Sequence, residues 1–471
     1  MRIALLVHSF PPARLGGTEV YSEAYARALV RAGHEVFVYA AEKDVARADL
    51  STREERRDYM GELRDSMGAL REGITVTWIT NNLFLGDFRE TFDRPALVKP
   101  FEEFLDRAKP ALLHAMHLID VGASAPAAAR RRAIPVGFTL HDYWLSCPRW
   151  GQRFHPDGAI CETIDLDRCA DCMAQFTWRQ PKGAAGAARG FRWVQDNLGV
   201  DLATPAKKTL RTLRAKGVAA APRTNAAELR ARLDERVRFL REQAVGAVDL
   251  FLSPSQFLAD EMVRFGIPKN RIEVSMLGIE KDWVSKVSRR PATTTRVAFH
   301  GSLMRTKGAH VLLEAWGRLP ADIRGRASLT LRGAAREPAY VEELKRAAKR
   351  VGAVVEGEFP RSELAAKLSA TDLLVVPSIW WENSPLSILE ALAARVPLLV
   401  SDLGGMAELV REGRGGYRFR VGDAEDLARV LRECLETPGR LSECVAADAA
   451  VRSIDDDARE LPRRILESTK L

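Results

Sequence analysis

The run Leu373-Leu374-Val375-Val376-Pro377-Ser378-Ile379-Trp380-Trp381-Glu382-Asn383-Ser384-Pro385-Leu386-Ser387-Ile388-Leu389-Glu390 decides how the rest of the chain is read. Leu373–Val376 is an unbroken apolar run, the pattern of a parallel strand buried on both faces, and Pro377 stops it. A short loop then carries Glu382. A helix is expected next, with Asn383 or Ser384 as its cap and Pro385 near its first position, ahead of Leu386. Such a tip offers unpaired backbone N–H groups and the positive end of the helix dipole, which suits phosphate. Glu382 falls just outside the tip and Glu390 about two turns inside it. Helical side chains lean toward the N-terminus, so Glu390 can reach back to the same place. A carboxylate can accept hydrogen bonds from two vicinal hydroxyls. The two acids therefore frame a diphosphate seat with a polyhydroxylated group on either side.

Working outward, the strand expected at Val396–Val400 leads to Ser401-Asp402-Leu403-Gly404-Gly405. Two glutamates at this spacing recur by chance in many chains; the strand, the Asn-Ser-Pro and the Gly-Gly loop give them meaning. Together they resemble the retaining glycosyltransferases of family 4. The resemblance implies an α/β protein of the GT-B fold, with two doubly wound Rossmann-like domains facing a central cleft. It implies a nucleotide-sugar donor, a UDP- or GDP-sugar, with Glu390 on the ribose, Glu382 on the transferred sugar and the 384–386 backbone with Asn383 at the diphosphate. The acceptor is a hydroxyl of a sugar or lipid-linked sugar, the setting is polysaccharide or glycolipid assembly, and no catalytic metal is expected. A sugar-nucleotide epimerase or phosphorylase on the same fold, or an inactive GT-B scaffold, stays open.

The chain begins in the same style. Ile3–Val7 reads as a strand, Gly16-Gly17 as the turn into a helix ending near Ala32, and His34–Ala40 as the next strand, a βαβ start. Without side chains, Gly16 and Gly17 let backbone approach a ligand; in the resembling family this loop meets donor phosphate and acceptor. Ser51-Thr52-Arg53-Glu54 has capping-box spacing and predicts a charged helix to about Arg71. A strand at Pro135–Leu140 delivers His141-Asp142 where parallel sheets place ligands, and a His here touches the transferred sugar or the acceptor in the family. His114 and His117 end the strand Ala111–Met116 and read first as structural.

An insertion of about 147–245 follows. Cys147, Cys161, Cys169 and Cys172 include a Cys-x2-Cys pair, whose spacing lets two thiolates from one turn grip one ion, so a structural tetrahedral zinc site is expected. Four unligated thiols are the alternative. From Lys207 through Lys208, Arg211, Arg214, Lys216, Arg223, Arg230, Arg232, Arg236, Arg238 and Arg241 the chain is basic and helical in pattern. That is either a solvated face or, with Phe191 and Trp193 nearby, a face for an anionic membrane surface.

Ser285–Thr295 reads as the linker, dividing an acceptor domain, 1–288, from a nucleotide-sugar domain, 296–452, with a last helix, 453–471, crossing back. Gly301-Ser302-Leu303-Met304-Arg305-Thr306-Lys307-Gly308 resembles the family's pyrophosphate segment. Ser302 stands where most members carry Arg; Lys307 matches, and Arg305 is the candidate to replace the missing cation. Phe359 sits in the loop where members hold the nucleobase. The net charge of +8 favours an anionic partner, but no nucleic-acid motif is present. The N-terminus reads as a strand, not a signal peptide, and no apolar run is long enough to cross a bilayer. A cytoplasmic protein is expected, peripheral at the inner face of the membrane if the basic face is used.

Overall fold

The computed structural model of the protein describes residues 1–13, 16–59, 73–176, 183–202, 205, 225–289, 293–437, 439–446 and 451–469. The chain divides into two units: Met1–Ser253 with Glu261–Glu273 and Ala458–Leu471, and Pro254–Asp260 with Val274–Asp457.

The first unit is built on strands β1 (Arg2–Val7), β2 (Glu35–Glu42), β3 (Thr52–Arg57), β4 (Ile74–Thr80), β5 (Leu112–Ala115), β6 (Val136–Thr139), β7 (Leu250–Ser253) and β8 (Ile272–Val274), in the order 3-4-2-1-5-6-7-8. β1, β2, β4, β5, β6 and β7 pair in parallel. β5, β6 and β7 are buried along their whole length, as expected of central strands covered on both faces. The helix Gly17–Arg31 makes the first crossover.

β3 corrects the helix expected from Ser51. It runs antiparallel to β4 with alternating exposure. Its charges are used as an edge strand uses them: Arg53 Nε donates to Glu42 at 2.9 Å and lies over the Trp78 ring at 5.1 Å. The rest of that expected helix, 60–71, lies outside the described residues. The last helix, Ile454–Ser468, enters the first unit from Ala458. Its Ile465 is fully buried against Gly137 of β6, which has no room for a side chain.

The second unit holds β9 (Thr295–His300), β10 (Ala327–Arg332), β11 (Val354–Val355), β12 (Leu373–Val376), β13 (Leu398–Ser401), β14 (Arg411–Glu412) and β15 (Gly415–Phe419), in the order 11-10-9-12-13-15-14. β9 to β13 and β15 pair in parallel. Phe299, Leu312, Trp316, Tyr340, Leu344, Leu427 and Leu431 form its core between sheet and helices. The carboxyl ends of β9 and β12 deliver the loops that carry Lys307 and Glu382, the side of an α/β sheet where ligands bind.

Gly308 holds these two loops close. Its φ is +71°, and a Cβ there would overlap the Pro377 carbonyl oxygen. Gly352 has a similar φ of +73°, with nothing within 4 Å of a Cβ. Gly352→Ala is expected to cost about 1 kcal/mol, the price of the left-handed region alone. Gly308→Ala, which must also displace a backbone carbonyl, should cost about 3 kcal/mol or more. Urea denaturation of the two variants checks the difference; equal losses would refute the close approach.

Candidate nucleotide-sugar site

After β12, the loop is tied to the 3-10 turn Arg305–Lys307 by the Ile379 N–H, which donates to the Thr306 carbonyl at 2.9 Å. Lys307 forms an ion pair with Glu382, and its ammonium lies 5.3 Å from the Trp380 ring centre. Ser378 Oγ donates to the same Glu382 Oε1 at 2.8 Å. Glu382 is buried. Burial works against its charge, but the Lys307 ammonium and the Ser378 hydroxyl outweigh it and hold the carboxyl below the ordinary Glu value. The Gly405 N–H donates to the Glu382 carbonyl at 2.9 Å, and a Cβ on Gly405 would overlap the Asn383 carbonyl oxygen. The Gly404-Gly405 pair therefore lets the next turn press against this loop.

The helix is Leu386–Ala393, and Pro385 is its cap, without a side-chain capping bond. This differs from the Asn383 or Ser384 cap read from sequence. Ser384 precedes proline, which disfavours the helical conformation there, and Pro385 itself is extended at ψ 124°. The Ser384 hydroxyl is buried with no hydrogen-bond partner among the described residues. Glu390 is buried in this helix, and its Oε1 accepts from Arg361 Nη1 at 2.6 Å. Burial pushes the Glu390 carboxyl up, with Arg361 opposing.

Arg305 is placed differently from Lys307. Its guanidinium is paired with Glu343 at 2.6 Å and lies over Tyr340 at 4.9 Å, and among the described residues it contacts neither Glu382 nor Glu390. Ser302 precedes this turn, its carbonyl accepting from Met304 N–H at 2.9 Å. Phe359 packs edge-on against His300 at 5.4 Å. Burial, then Arg332, push His300 down to about 3, so this ring is neutral.

In the first unit, Gly16 caps the helix Gly17–Arg31 and leaves room for Glu19, whose carboxylate a Cβ there would meet. Glu19 pairs with His8 Nε2 at 3.0 Å. The His8 ring lies 4.7 Å from that of His117, and His117 Nε2 contacts Asp142 Oδ2 at 3.0 Å. The Ile119 N–H donates to His117 Nδ1, so the ring proton sits on Nε2, facing Asp142. His141 packs 5.3 Å from Tyr21, and burial pushes it down to about 3. His114 is a satisfied core histidine between Tyr25 and Thr139. His8 and Glu19 were missed in the sequence. The available signal was a histidine just past the first strand and an acid in the first turn after Gly-Gly.

Cys147, Cys161, Cys169 and Cys172 line one cavity with His155, and none is in a disulfide. Among the described residues, however, no group of three or more His, Cys, Asp or Glu is placed to hold a metal ion. The tetrahedral zinc sphere expected from spacing is not assembled. Cys169 and Cys172 sit on the helix Leu166–Gln175, not on a knuckle turn. Cys147 Sγ accepts the Arg153 N–H at 3.4 Å, and burial pushes the Cys169 and Cys172 thiols up, to about 12 and about 11. Of the basic stretch, Lys207 to Arg223 lie outside the described residues. Further on, Arg230 pairs with Asp167, Arg232 with Asp87, and Arg236 is buried against the Leu145 and Trp144 carbonyls.

A family model described as "Glycosyl transferases group 1" matches residues 281–450, and one described as "Glycosyltransferase Family 4" matches residues 15–170. The chain belongs to the family-4 type of glycosyltransferases, of the GT-B fold. It is 30% identical over 209 residues to a glycogen synthase of Mycobacterium tuberculosis, covering 44% of this chain and 50% of that protein. It is 28% identical over 194 residues to the putative colanic acid biosynthesis glycosyltransferase WcaL of Escherichia coli, covering 39% and 47%. The chain thus matches about half the length of these curated relatives. Among solved structures it resembles Anabaena HepE in complex with UDP and glucose, with a TM-score of 0.60, 17% identity and 99% of each chain covered.

The buried carboxylate makes a stability prediction. Glu382 titrates lower in the folded chain than its ordinary value, so its stabilisation is present above the unfolded pKa and is lost as pH falls through the folded one. Lys307→Met strands a buried carboxylate and should cost about 3 kcal/mol at neutral pH. Adding Glu382→Gln should recover most of that, and the gap between wild type and Lys307→Met should close in acid. Urea midpoints across pH check this; a gap that is constant with pH would contradict it.

Proposed function

We propose that the protein transfers a sugar from a nucleotide-diphosphate sugar to an acceptor hydroxyl, with retention at the anomeric carbon. The observation that carries the reading is the pair of half-buried Lys307 and buried Glu382 set between the carboxyl ends of β9 and β12, next to the Leu386 helix tip. A donor diphosphate supplies the anion that Lys307 and the helix N–H groups await. Glu382, released from Lys307, then accepts hydrogen bonds from hydroxyls of the transferred sugar. Glu390 takes the ribose, Phe359 lies in the nucleobase loop, and Ser384 offers its unpaired hydroxyl. In the reaction, the bond from the anomeric carbon to the diphosphate oxygen breaks and a bond to the acceptor oxygen forms on the same face. The acceptor proton passes to the departing phosphate, whose charge Lys307 stabilises. Residues 296–452 hold the donor, and the first domain, with Gly16, Gly17 and His141, receives the acceptor. HepE was solved with UDP and glucose, and a UDP-sugar is the donor proposed here.

UDP, GDP and ADP and their glucose conjugates, screened for thermal stabilisation and for release of the diphosphate, test the donor. Lys307→Ala and Glu382→Ala should each lower transfer by about 10²- to 10³-fold; activity within a few-fold of wild type would contradict the assignment.

A lipid-linked acceptor and an anionic membrane surface belong to the same proposal. Trp193 and Leu198 stand exposed on the helix Ala184–Leu198 beside Arg189 and Arg192. Trp193→Ser should then weaken co-sedimentation with phosphatidylglycerol vesicles by about ten-fold; equal binding of wild type and variant would remove the helix from contention.

A further inference from the structure

Glu390 lies in the second turn of the helix Leu386–Ala393 and is largely buried. Desolvation favours its neutral form. A neutral carboxyl is a poor partner for a diol, because one of its oxygens has become a donor; the ionised group has acceptor sites on both oxygens. Something must therefore keep it charged. Among the described residues the cation on Glu390 is Arg361, from the 3-10 turn Arg361–Glu363 that directly follows Glu358-Phe359-Pro360. Arg361 grips one side only: Nη1 donates to Oε1 at 2.6 Å, and Oε2 takes no hydrogen bond among the described residues. The other edge of the guanidinium faces Glu280, with Nε 3.7 Å from Oε2 of that residue, and Asp282 adds to the negative field on Arg361. Arg361 thus lies between two acids, hydrogen-bonded to Glu390 and ion-paired with Glu280.

We propose that Arg361 is a positioning residue for the donor's ribose: it holds one oxygen of Glu390 and so turns the carboxylate for its second oxygen to meet the ribose diol, while Glu280 faces the guanidinium from behind. The inference rests on the reading that Glu390 takes the ribose, and it adds a residue to which that reading gave no role. It also explains why an arginine from the nucleobase loop occupies a carboxylate needed for the ligand. One N–H on one oxygen leaves the diol its own acceptor. A bidentate clamp would not.

The test compares UDP with 2′,3′-dideoxy-UDP by calorimetry on the full chain, between about pH 6 and about pH 8. Wild type should prefer UDP by about ten-fold or more, with less pH dependence than Arg361→Ala. Arg361→Ala should lose about ten-fold in UDP affinity and most of the preference, and its loss should deepen toward acid as Glu390 takes up a proton. Arg361→Lys keeps the charge and should stay flat with pH. Arg361→Gln, close in size but uncharged, should behave as the Ala variant does. Glu390→Gln should lose the preference at every pH. Binding by Arg361→Ala that equals wild type across pH, or is tighter because the guanidinium competes with ribose, overturns the inference and leaves the donor site standing. Wild type that binds none of UDP, GDP or ADP overturns the donor site itself.

Discussion

Burying carboxylates beside a helix tip is the constraint on which the second unit depends. Two such groups, Glu382 and Glu390, flank one helix tip, and each is matched by one cation from a different loop. The matches differ in effect. Lys307 with Ser378 overcomes burial at Glu382, which titrates low, whereas Arg361 only opposes burial at Glu390, which titrates high. The chain pairs a firmly ionised acid near the proposed reacting sugar with a more weakly ionised one near the proposed ribose. A charge that shifts little with pH suits the place where the transition state develops.

Cations and acids can meet there only because the loops are pressed together. Gly308 approaches the Pro377 carbonyl, Gly333 the Gly301 carbonyl and Gly405 the Asn383 carbonyl, each too closely for any side chain. Backbone carbonyl contacts thus set the spacing of β9, β10, β12 and β13 at their carboxyl ends, and side-chain chemistry is mounted on that frame. Rigid placement by backbone is what a site needs if charges are to be aimed without reorganisation.

Much of this was legible in the chain. Leu373–Val376 and Leu112–Ala115 read as buried strands because apolar runs of that length have few other uses. Glu382 and Glu390 could be proposed as a pair because strand, loop and helix follow one another locally, and Lys307 because its Gly-rich turn resembles a pyrophosphate segment. What was not legible is pairing across distance: Arg361 and Glu390 are 29 positions apart, and Lys307 and Glu382 are 75 apart. Nothing in sequence periodicity says which acid a given arginine will choose, and Arg305 chose Glu343. Residues 52–57 misled because a run of mixed Arg and Glu suits a charged helix as well as an edge strand, and the Trp78 face that decides between them is on another strand. Cys169 and Cys172 misled because Cys-x2-Cys spacing is the same on a helix as on a knuckle.

The two units solve the burial of acids with different partners. In the second, the partners are fixed cations. In the first, Glu19 and Asp142 face imidazoles, and the His8 and His117 rings lie between them, tilted to each other at 4.7 Å. Burial pushes His8 and His141 down, with the neighbouring imidazoles adding to the effect. Neutral imidazoles offer one donor and one acceptor each and carry no net charge toward a ligand. That suits an uncharged, hydroxyl-rich group and is ill suited to a diphosphate. Permanent cations at a helix tip suit the diphosphate. The proposed division of labour, acceptor to the first domain and donor to the second, follows from which charge each set of partners can stabilise. It does not require the two sheets, which are built alike, to differ in fold.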